Sequence, residues 1–205
     1  MELYNVKSVE WDHVWDTTHK KERHQGPRIS YQRSSSKRSS FEGLFRLTTV
    51  EDTAALTRFL SDPAISQPIY TLPEHIDEDT TRIFIQEHLE ERERGEGLLM
   101  IGHQGTGFIE AYYDFQIWPQ WSTGKLGGAI HKDLQSSGRG GADAKRIFSW
   151  MFEYIGVDLI CETCAVDNLR SARLLKKIGF SMKGKILSEL PEGGTRPSLY
   201  WELEG

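Results

Sequence analysis

The sequence contains only two cysteines, Cys161 and Cys164, among its 205 residues. They lie three positions apart in an apolar run that is typical of a β-strand, where such residues point to opposite faces. A shared metal ion or a disulfide between them is therefore not expected, and no second pair completes a zinc site. We expect two buried structural thiols in a reducing cytoplasm.

The chain also has no strong excess of charge and no long apolar run. The formal net charge is −5, so there is no overall basic field to attract nucleic acid, which is not expected as a partner. No apolar stretch is long enough to cross a membrane, and roughly the first thirty residues lack the apolar core of a signal peptide. These absences predict a cytoplasmic globular protein that does not bind membranes.

Residues 1–42 differ in composition from the rest of the chain. Their basic residues are Lys20, Lys21, Arg23, Arg28, Arg33, Lys37 and Arg38, and serines stand at 34–36 and 39–40. Trp11, Val14 and Trp15 have the spacing of a short amphipathic helix. Two interpretations stay open. The segment is either a partly ordered extension with a flexible linker, or its tryptophans dock on the domain or on a second subunit, which leaves a homodimer open.

Residues 43–205 are predicted to form one domain. Apolar periodicity and turn residues predict the element order β-α-α-β-β-β-α-β-α-β-β. The first helix is predicted to follow a capping pattern at Thr49 and to end at Asp62-Pro63. Residues 63–76, which contain three prolines, are predicted as a loop, and Asp77 is predicted to begin the second helix. The fold class is therefore α+β, with one mixed, mostly antiparallel central sheet and helices on both faces.

A glycine-rich stretch at residues 135–142 stands between an apolar strand-like run and a long helix-like run. A strand, a glycine-rich turn and a helix start can bind an anion, because free N–H groups of the first helical turn and the helix dipole attract it. Glycines at 138, 140 and 141 let a phosphate approach the backbone. The alternative is an ordinary loop that enters a helix.

Two motifs give the chain a resemblance to the GNAT superfamily of N-acetyltransferases over about residues 43 to 204. The run Gln135-Ser136-Ser137-Gly138-Arg139-Gly140 fits the family's pyrophosphate signature, Gln/Arg-x-x-Gly-x-Gly/Ala. Residues 168–180 resemble the Asn-x-x-Ser-x-x-x-Leu-x-Lys-x-Gly-Phe helix of the ribosomal-protein N-terminal acetyltransferase branch. The resemblance implies a GNAT-like fold and acetyl transfer from acetyl-CoA to a primary amine, either a protein N-terminus or a small molecule, without a metal. The amine would attack directly in a ternary complex.

The resemblance also implies where the cofactor lies. The pyrophosphate would rest on the backbone amides that follow the first residue of the signature, the pantetheine arm would pair with the preceding strand, and the second helix would contact the cofactor from the other side. The pyrophosphate site would consist of Gln135, Gly138, Arg139, Gly140 and Gly141. The strand beside the pantetheine arm would contribute Ala129, Ile130 and His131, and the second helix would contribute Asn168 and Ser171. Asn168 is alternatively a helix N-cap.

Proton transfer is less well defined by the motifs. Many family members protonate the departing thiolate with a tyrosine whose matching position here is Leu175, so Ser171 is the available hydroxyl. Glu110 and Glu162 are the candidate bases, and Glu162 interrupts an apolar strand where desolvation raises the pKa of a carboxyl. Each carboxylate is alternatively a satisfied structural residue, and His131 is interpreted as a strand-end residue. The missing tyrosine leaves a second hypothesis, a non-catalytic acyl-CoA sensor.

The acceptor side is assigned by the same resemblance to residues 65–75 and 192–196. Tyr70, Trp118 and Trp121 are candidates for an aromatic wall there, or for hairpin packing. A third hypothesis, RNA interaction through residues 1–42, rests on their basic residues alone.

Overall fold

The computed structural model describes residues 45–69, 72–103, 108–135, 139–190 and 193–205. The strands are β1 (Phe45–Leu47), β2 (Gly97–His103), β3 (Ile109–Trp118), β4 (Thr123–Ile130), β5 (Leu159–Ala165), β6 (Ser181–Glu189) and β7 (Thr195–Glu204). The helices are α1 (Thr53–Leu60), α2 (Pro63–Ser66), α3 (Glu78–Arg94), α4 (Arg139–Trp150) and α5 (Leu169–Ile178). Residues 1–42 lie outside the described residues, and so do the predictions made for Trp11 and Trp15.

The described strands form one seven-stranded sheet in the order β1-β2-β3-β4-β5-β7-β6. β4 and β5 pair in parallel, and the other described neighbours pair antiparallel. A helical crossover, α4, joins the two parallel strands, as such a connection requires. The predicted α+β class with a mixed, mostly antiparallel sheet is confirmed.

Helix boundaries follow the local capping chemistry. Asp77 caps α3 by accepting a hydrogen bond from Thr80 N at 2.8 Å, and Gly95 ends that helix with a left-handed φ of 75°. The prediction of an uninterrupted loop over residues 63–76 is wrong at its start. Pro63 opens the short helix α2 at the first helical position, where proline needs no N–H partner, and Asp62 caps it through Ala64 N at 3.0 Å.

Two large hydrophobic cores lie on opposite faces of the sheet, and β5, β6 and β7 form a third, smaller cluster. One core, with Phe115, Ile160 and Met151 among its members, is covered by α4, the π-helical turn Met151–Ile155 that follows it, and α5. The other, with Leu56 and Ile85, is covered by α1 and α3. Because both faces are covered, the sheet can expose functional groups only at its edges and where neighbouring strands separate.

The two cysteines lie on opposite faces of β5, as predicted. Cys164 belongs to the core under α4 and α5, whereas Cys161 packs with Tyr200 on the other face, its Sγ 3.1 Å from the tyrosine hydroxyl. Both thiols are free and buried, and burial raises the pKa of Cys161 to about 12. They therefore contribute packing and not thiolate chemistry.

No helix in the described part of the chain is long and apolar enough to cross a membrane. Nor do the described residues bring together three or more His, Cys, Asp or Glu side chains that could hold a metal ion.

Candidate active site

A cleft opens in the middle of the sheet where β4 and β5 separate. The parallel register joins Thr123 to Leu159 and Gly124 to Ile160, and no pair follows these two. β4 stays paired with β3 on its other side as far as Ile130. The outer half of β4, residues 125–130, therefore has backbone hydrogen-bonding groups on one side that do not pair with a neighbouring strand.

The direction of those backbone groups follows from two hydrogen bonds. His131 N–H donates to Glu110 O of β3 at 2.7 Å, whereas Leu126 N–H points the other way and donates to the Glu162 carboxylate of β5 at 2.8 Å. Since alternate residues of a strand direct their N–H groups to opposite neighbours, Gly128 and Ile130 face the cleft together with Leu126. Within the predicted run 129–131, Ile130 is thus the residue whose backbone faces the cleft.

Gly128 is a site residue that the sequence reasoning did not identify. Its φ is +149°, and a Cβ at this position would lie 2.4 Å from Tyr112 O. No other residue fits there without displacing β3. The pair Gly127-Gly128 inside a strand was the available signal, because glycine in a strand often marks a close approach of another backbone or of a ligand.

Glu162 lies at the closed end of the cleft. It is 6% exposed, and its hydrogen bond with Leu126 N–H joins the two strands just beyond their last pair. Burial raises the pKa of Glu162 to about 8, although the charge of Lys125 and the Leu126 N–H act in the opposite direction. A carboxyl group whose pKa lies near the working pH is suited to exchange a proton with a substrate.

Glu110 lies on the other side of β4. It is buried on β3, and its backbone carbonyl binds His131 N–H. The structure therefore places Glu162, of the two predicted carboxylates, at the cleft between β4 and β5.

His131 follows the end of β4, in agreement with its interpretation as a strand-end residue. Its ring lies edge-on to Phe108, with ring centroids 4.6 Å apart. Its Nδ1 accepts a hydrogen bond from Asp133 N–H at 3.4 Å.

The glycine-rich stretch connects the open end of β4 to α4. Arg139 is the first residue of the helix, and Gly140 and Gly141 lie in its first turn, where backbone N–H groups have no helical partner. A Cβ at Gly140 would lie 2.9 Å from Ile130 Cδ1, so the helix start packs against the end of β4. Residues 136–138, including Gly138, lie outside the described part, and only the backbone of Arg139 is described.

Gln135, the first residue of the signature, links β4 to α5. Its Nε2 donates to Ile130 O at 3.0 Å, and its Oε1 accepts from Arg170 Nη1 at 2.9 Å. This bridge joins the end of β4 to α5, and a Cβ at Gly141 would lie 3.4 Å from Leu174 Cδ1, so α5 lies beside the start of α4.

The structure shows Asn168 in its capping role. Its Oδ1 accepts a hydrogen bond from Ser171 N at 3.0 Å at the start of α5. Ser171 is half-buried in the first turn of this helix. Leu175, at the position of the family's tyrosine, is buried in the core one turn later.

The two candidate acceptor segments are described in part. Residues 65–69 and 72–75 are described, whereas Tyr70 lies outside the described residues. Trp118 and Trp121 flank and close the turn between β3 and β4, at the end of β4 remote from the glycine-rich stretch. This position favours hairpin packing over an aromatic wall at the open end of the cleft.

Comparison with known proteins assigns the family. A model described as "Acetyltransferase (GNAT) domain" matches residues 44–181. The chain belongs to the GNAT acetyltransferase family. This GNAT protein is accordingly an acetyl-CoA-dependent N-acetyltransferase, as its two motifs predicted. No curated protein sequence matches it significantly.

Solved structures share the fold at low sequence identity. The ribosomal-protein-S5-alanine acetyltransferase of Vibrio fischeri is 13% identical with a TM-score of 0.67, and the match covers 78% of this chain and 91% of that one. A Salmonella typhimurium acetyltransferase that modifies the N-terminal serine of ribosomal protein L7/L12 is 15% identical with a TM-score of 0.68, covering 78% and 94%. RimL, an L7/L12 α-N-protein acetyltransferase solved with coenzyme A, is 16% identical with a TM-score of 0.68, covering 78% and 92%.

Proposed function

We propose that this GNAT enzyme transfers the acetyl group of acetyl-CoA to a primary amine, with a protein N-terminus as the first acceptor class to test. The amine attacks directly in a ternary complex. The observation that carries the proposal is the cleft between β4 and β5, which has the buried Glu162 carboxylate at its closed end and a glycine-rich helix start at its open end. The N-terminal acceptor is suggested by the activities named for the structural neighbours.

The residues present fit acetyl-CoA. Bound acetyl-CoA supplies the activated thioester. Arg139, Gly140 and Gly141 present first-turn N–H groups that suit the pyrophosphate. Gly138 belongs to the same signature and is proposed to contact the pyrophosphate with them. Ile130 and Gly128 direct their N–H groups into the cleft, and an N–H there can donate to the thioester oxygen. Ala129 and His131 complete the strand segment, and Asn168 and Ser171 at the start of α5 are the proposed contacts on the other side of the cofactor.

Glu162 is proposed as the general base that takes the proton of the attacking amine. Ionised Glu162 is required for this step, so the rate should rise with pH through about 8, the pKa to which burial raises this carboxyl. Glu110 is the alternative carboxylate. Ser171 is the proposed donor of the proton that the leaving thiolate needs.

Turnover across a panel of acceptors tests the function. We expect thiol release from acetyl-CoA with peptides that have a free N-terminus, and none with the same peptides blocked by N-acetylation. Glu162→Gln should lower kcat by about 100-fold or more, because general-base catalysis is typically worth a factor of 10² to 10⁴. An unchanged kcat in this variant would contradict the base role.

The same assay separates the enzyme from the sensor hypothesis. Saturable acetyl-CoA binding without thiol release from any peptide or small amine would favour a non-catalytic acyl-CoA-binding protein. The absence of the family's tyrosine at Leu175 is the observation that keeps this alternative.

The division into an extension at 1–42 and an acyltransferase domain at 43–205, the cytoplasmic location and a homodimer stay predictions. Light scattering of the full chain measures the last of these.

A further inference from the structure

The end of the ladder between β4 and β5 has an unusual hydrogen bond. The last pair joins Gly124 to Ile160, and continuing that register would place Leu126 opposite Glu162. Their main chains do not pair. Instead, the Glu162 side chain accepts the Leu126 N–H at 2.8 Å. The Glu162 side chain therefore accepts the hydrogen bond that a main-chain carbonyl of β5 would accept if the strands stayed paired.

This exchange has a geometric consequence. Paired strands lie about 4.8 Å apart, because their main-chain groups bond directly. A bond from Leu126 N–H to the end of the Glu162 side chain inserts a glutamate side chain between the two main chains, so the strands must be farther apart. Glu162 is 6% exposed, so water does not readily replace it as the acceptor of the N–H of half-buried Leu126.

We propose that Glu162 is a positioning residue that holds β4 and β5 apart and thereby keeps the acyl-CoA cleft open. The inference rests on the proposed function, in which acetyl-CoA enters this cleft. It differs from the base role in what it requires of the side chain. Holding the strands apart requires the length of the glutamate side chain and an oxygen that accepts the Leu126 N–H. Protonated and ionised Glu162 both meet these two requirements. The base role needs the ionised carboxylate.

Two substitutions separate reach from charge. Glu162→Gln keeps the length and an acceptor oxygen but removes the charge, whereas Glu162→Asp keeps the charge and is one methylene shorter. We expect acetyl-CoA to bind Glu162→Gln within about twofold of the wild type and Glu162→Asp at least about tenfold more weakly, a difference of about 1.4 kcal/mol. Calorimetric titration of the full chain measures both constants. The same two changes at Glu153, an exposed carboxylate on the π-helical turn, are the matched control and should leave binding unchanged.

The outcomes are distinct. Equal binding by all three proteins, or normal binding by the aspartate variant with weak binding by the glutamine variant, would overturn the proposal. If the wild type does not bind acetyl-CoA, the proposed function fails while the strand separation remains measurable. Hydrogen exchange at the Leu126 amide should be slow in the wild type and in Glu162→Gln, and at least about tenfold faster in Glu162→Asp.

A measurement on the wild type covers the case in which the aspartate variant does not fold. The Leu126 amide chemical shift should titrate with Glu162, because its proton is bonded to that carboxyl. A shift that follows ionisation near pH 8 supports the contact, and a shift that stays flat from pH 6 to 10 would overturn it.

Discussion

His88 forms a buried ion pair that connects α3 to the sheet. Its Nε2 lies 3.1 Å from the Asp114 carboxylate of β3, and its Nδ1 lies 2.8 Å from Phe84 O one turn earlier. Glu91 Oε2 is 4.0 Å from the same ring nitrogen, Nε2. Burial by itself lowers the pKa of His88, but the hydrogen bond and charge of Asp114 outweigh it and raise the pKa to about 9.

The pH dependence of folding should reflect this pair. A histidine whose pKa is raised from 6.5 to about 9 stabilises the fold fully below pH 6.5, and the contribution is lost as the pH rises through 9. We expect the free energy of unfolding of the wild type to fall over this interval by on the order of 3 kcal/mol relative to His88→Gln. Urea titrations of both proteins at pH 6, 7, 8 and 9 measure the difference. Parallel curves for the two proteins would contradict the charged pair.

Apolar spacing predicts a buried stripe on α3 made of Ile83, Phe84, Ile85, His88 and Leu89, but it does not predict an ion pair for His88. Phe84, Ile85 and His88 are buried as predicted, whereas Ile83 is 53% exposed, so the prediction is wrong at that residue. The partner, Asp114, is 26 residues away on β3. Which residues of α3 lie over which residues of the strand depends on the crossing of helix and sheet, and local sequence does not specify it.

The start of α5 is fixed by Asn168. The cap supplies an acceptor to Ser171 N–H, one of the N–H groups that have no partner within the helix. We expect Asn168→Ala to lower the free energy of unfolding by about 1 kcal/mol and Asn168→Asp to retain most of it, because aspartate caps as well as asparagine. Thermal and urea unfolding measure the effect.

Acetyl-CoA titration of the same two variants tests the cofactor contact predicted for Asn168. If the cap is the whole role, Asn168→Asp binds acetyl-CoA like the wild type. Weak binding by Asn168→Asp in a protein of normal stability would contradict a role limited to capping and would show that this position lies close to the anionic cofactor.

The elements that sequence predicted well are those with local capping signals. The ends of α3 and α5 at Asp77, Gly95 and Asn168 follow from residue type alone. α2 was missed because Pro63 was interpreted as a helix stop, whereas proline is equally suited to a helix start. The π-helical turn Met151–Ile155 has no such signal, since its apolar spacing continues that of α4.

The cleft itself could not be predicted from the strands that form it. β4 and β5 both read as ordinary strands, and their separation depends on the contact between Leu126 and Glu162, 36 residues apart. The motifs predicted that residues near 130 and 140 bind the donor. They did not show that Gly128 faces the cleft, because backbone direction depends on the register with β3.

The fold as a whole brings the donor site together from two distant segments. The sheet presents the outer half of β4, α4 supplies the helix start beside it, and the Gln135 bridge holds α5 against both. A hydrophobic core on each face of the sheet supports this arrangement, so the cleft is bordered by packed strands and not by a loop.

Acetyl-CoA titration of Gly140→Glu tests the donor site most directly. A glutamate in the first turn of α4 puts a carboxylate where the pyrophosphate should lie, and like charges in close contact cost several kcal/mol. Ser149→Glu, an exposed position on the same helix, is the matched control. We predict saturable binding by the wild type and by Ser149→Glu, and binding at least about 100-fold weaker by folded Gly140→Glu. Undiminished binding by folded Gly140→Glu would contradict the assigned site.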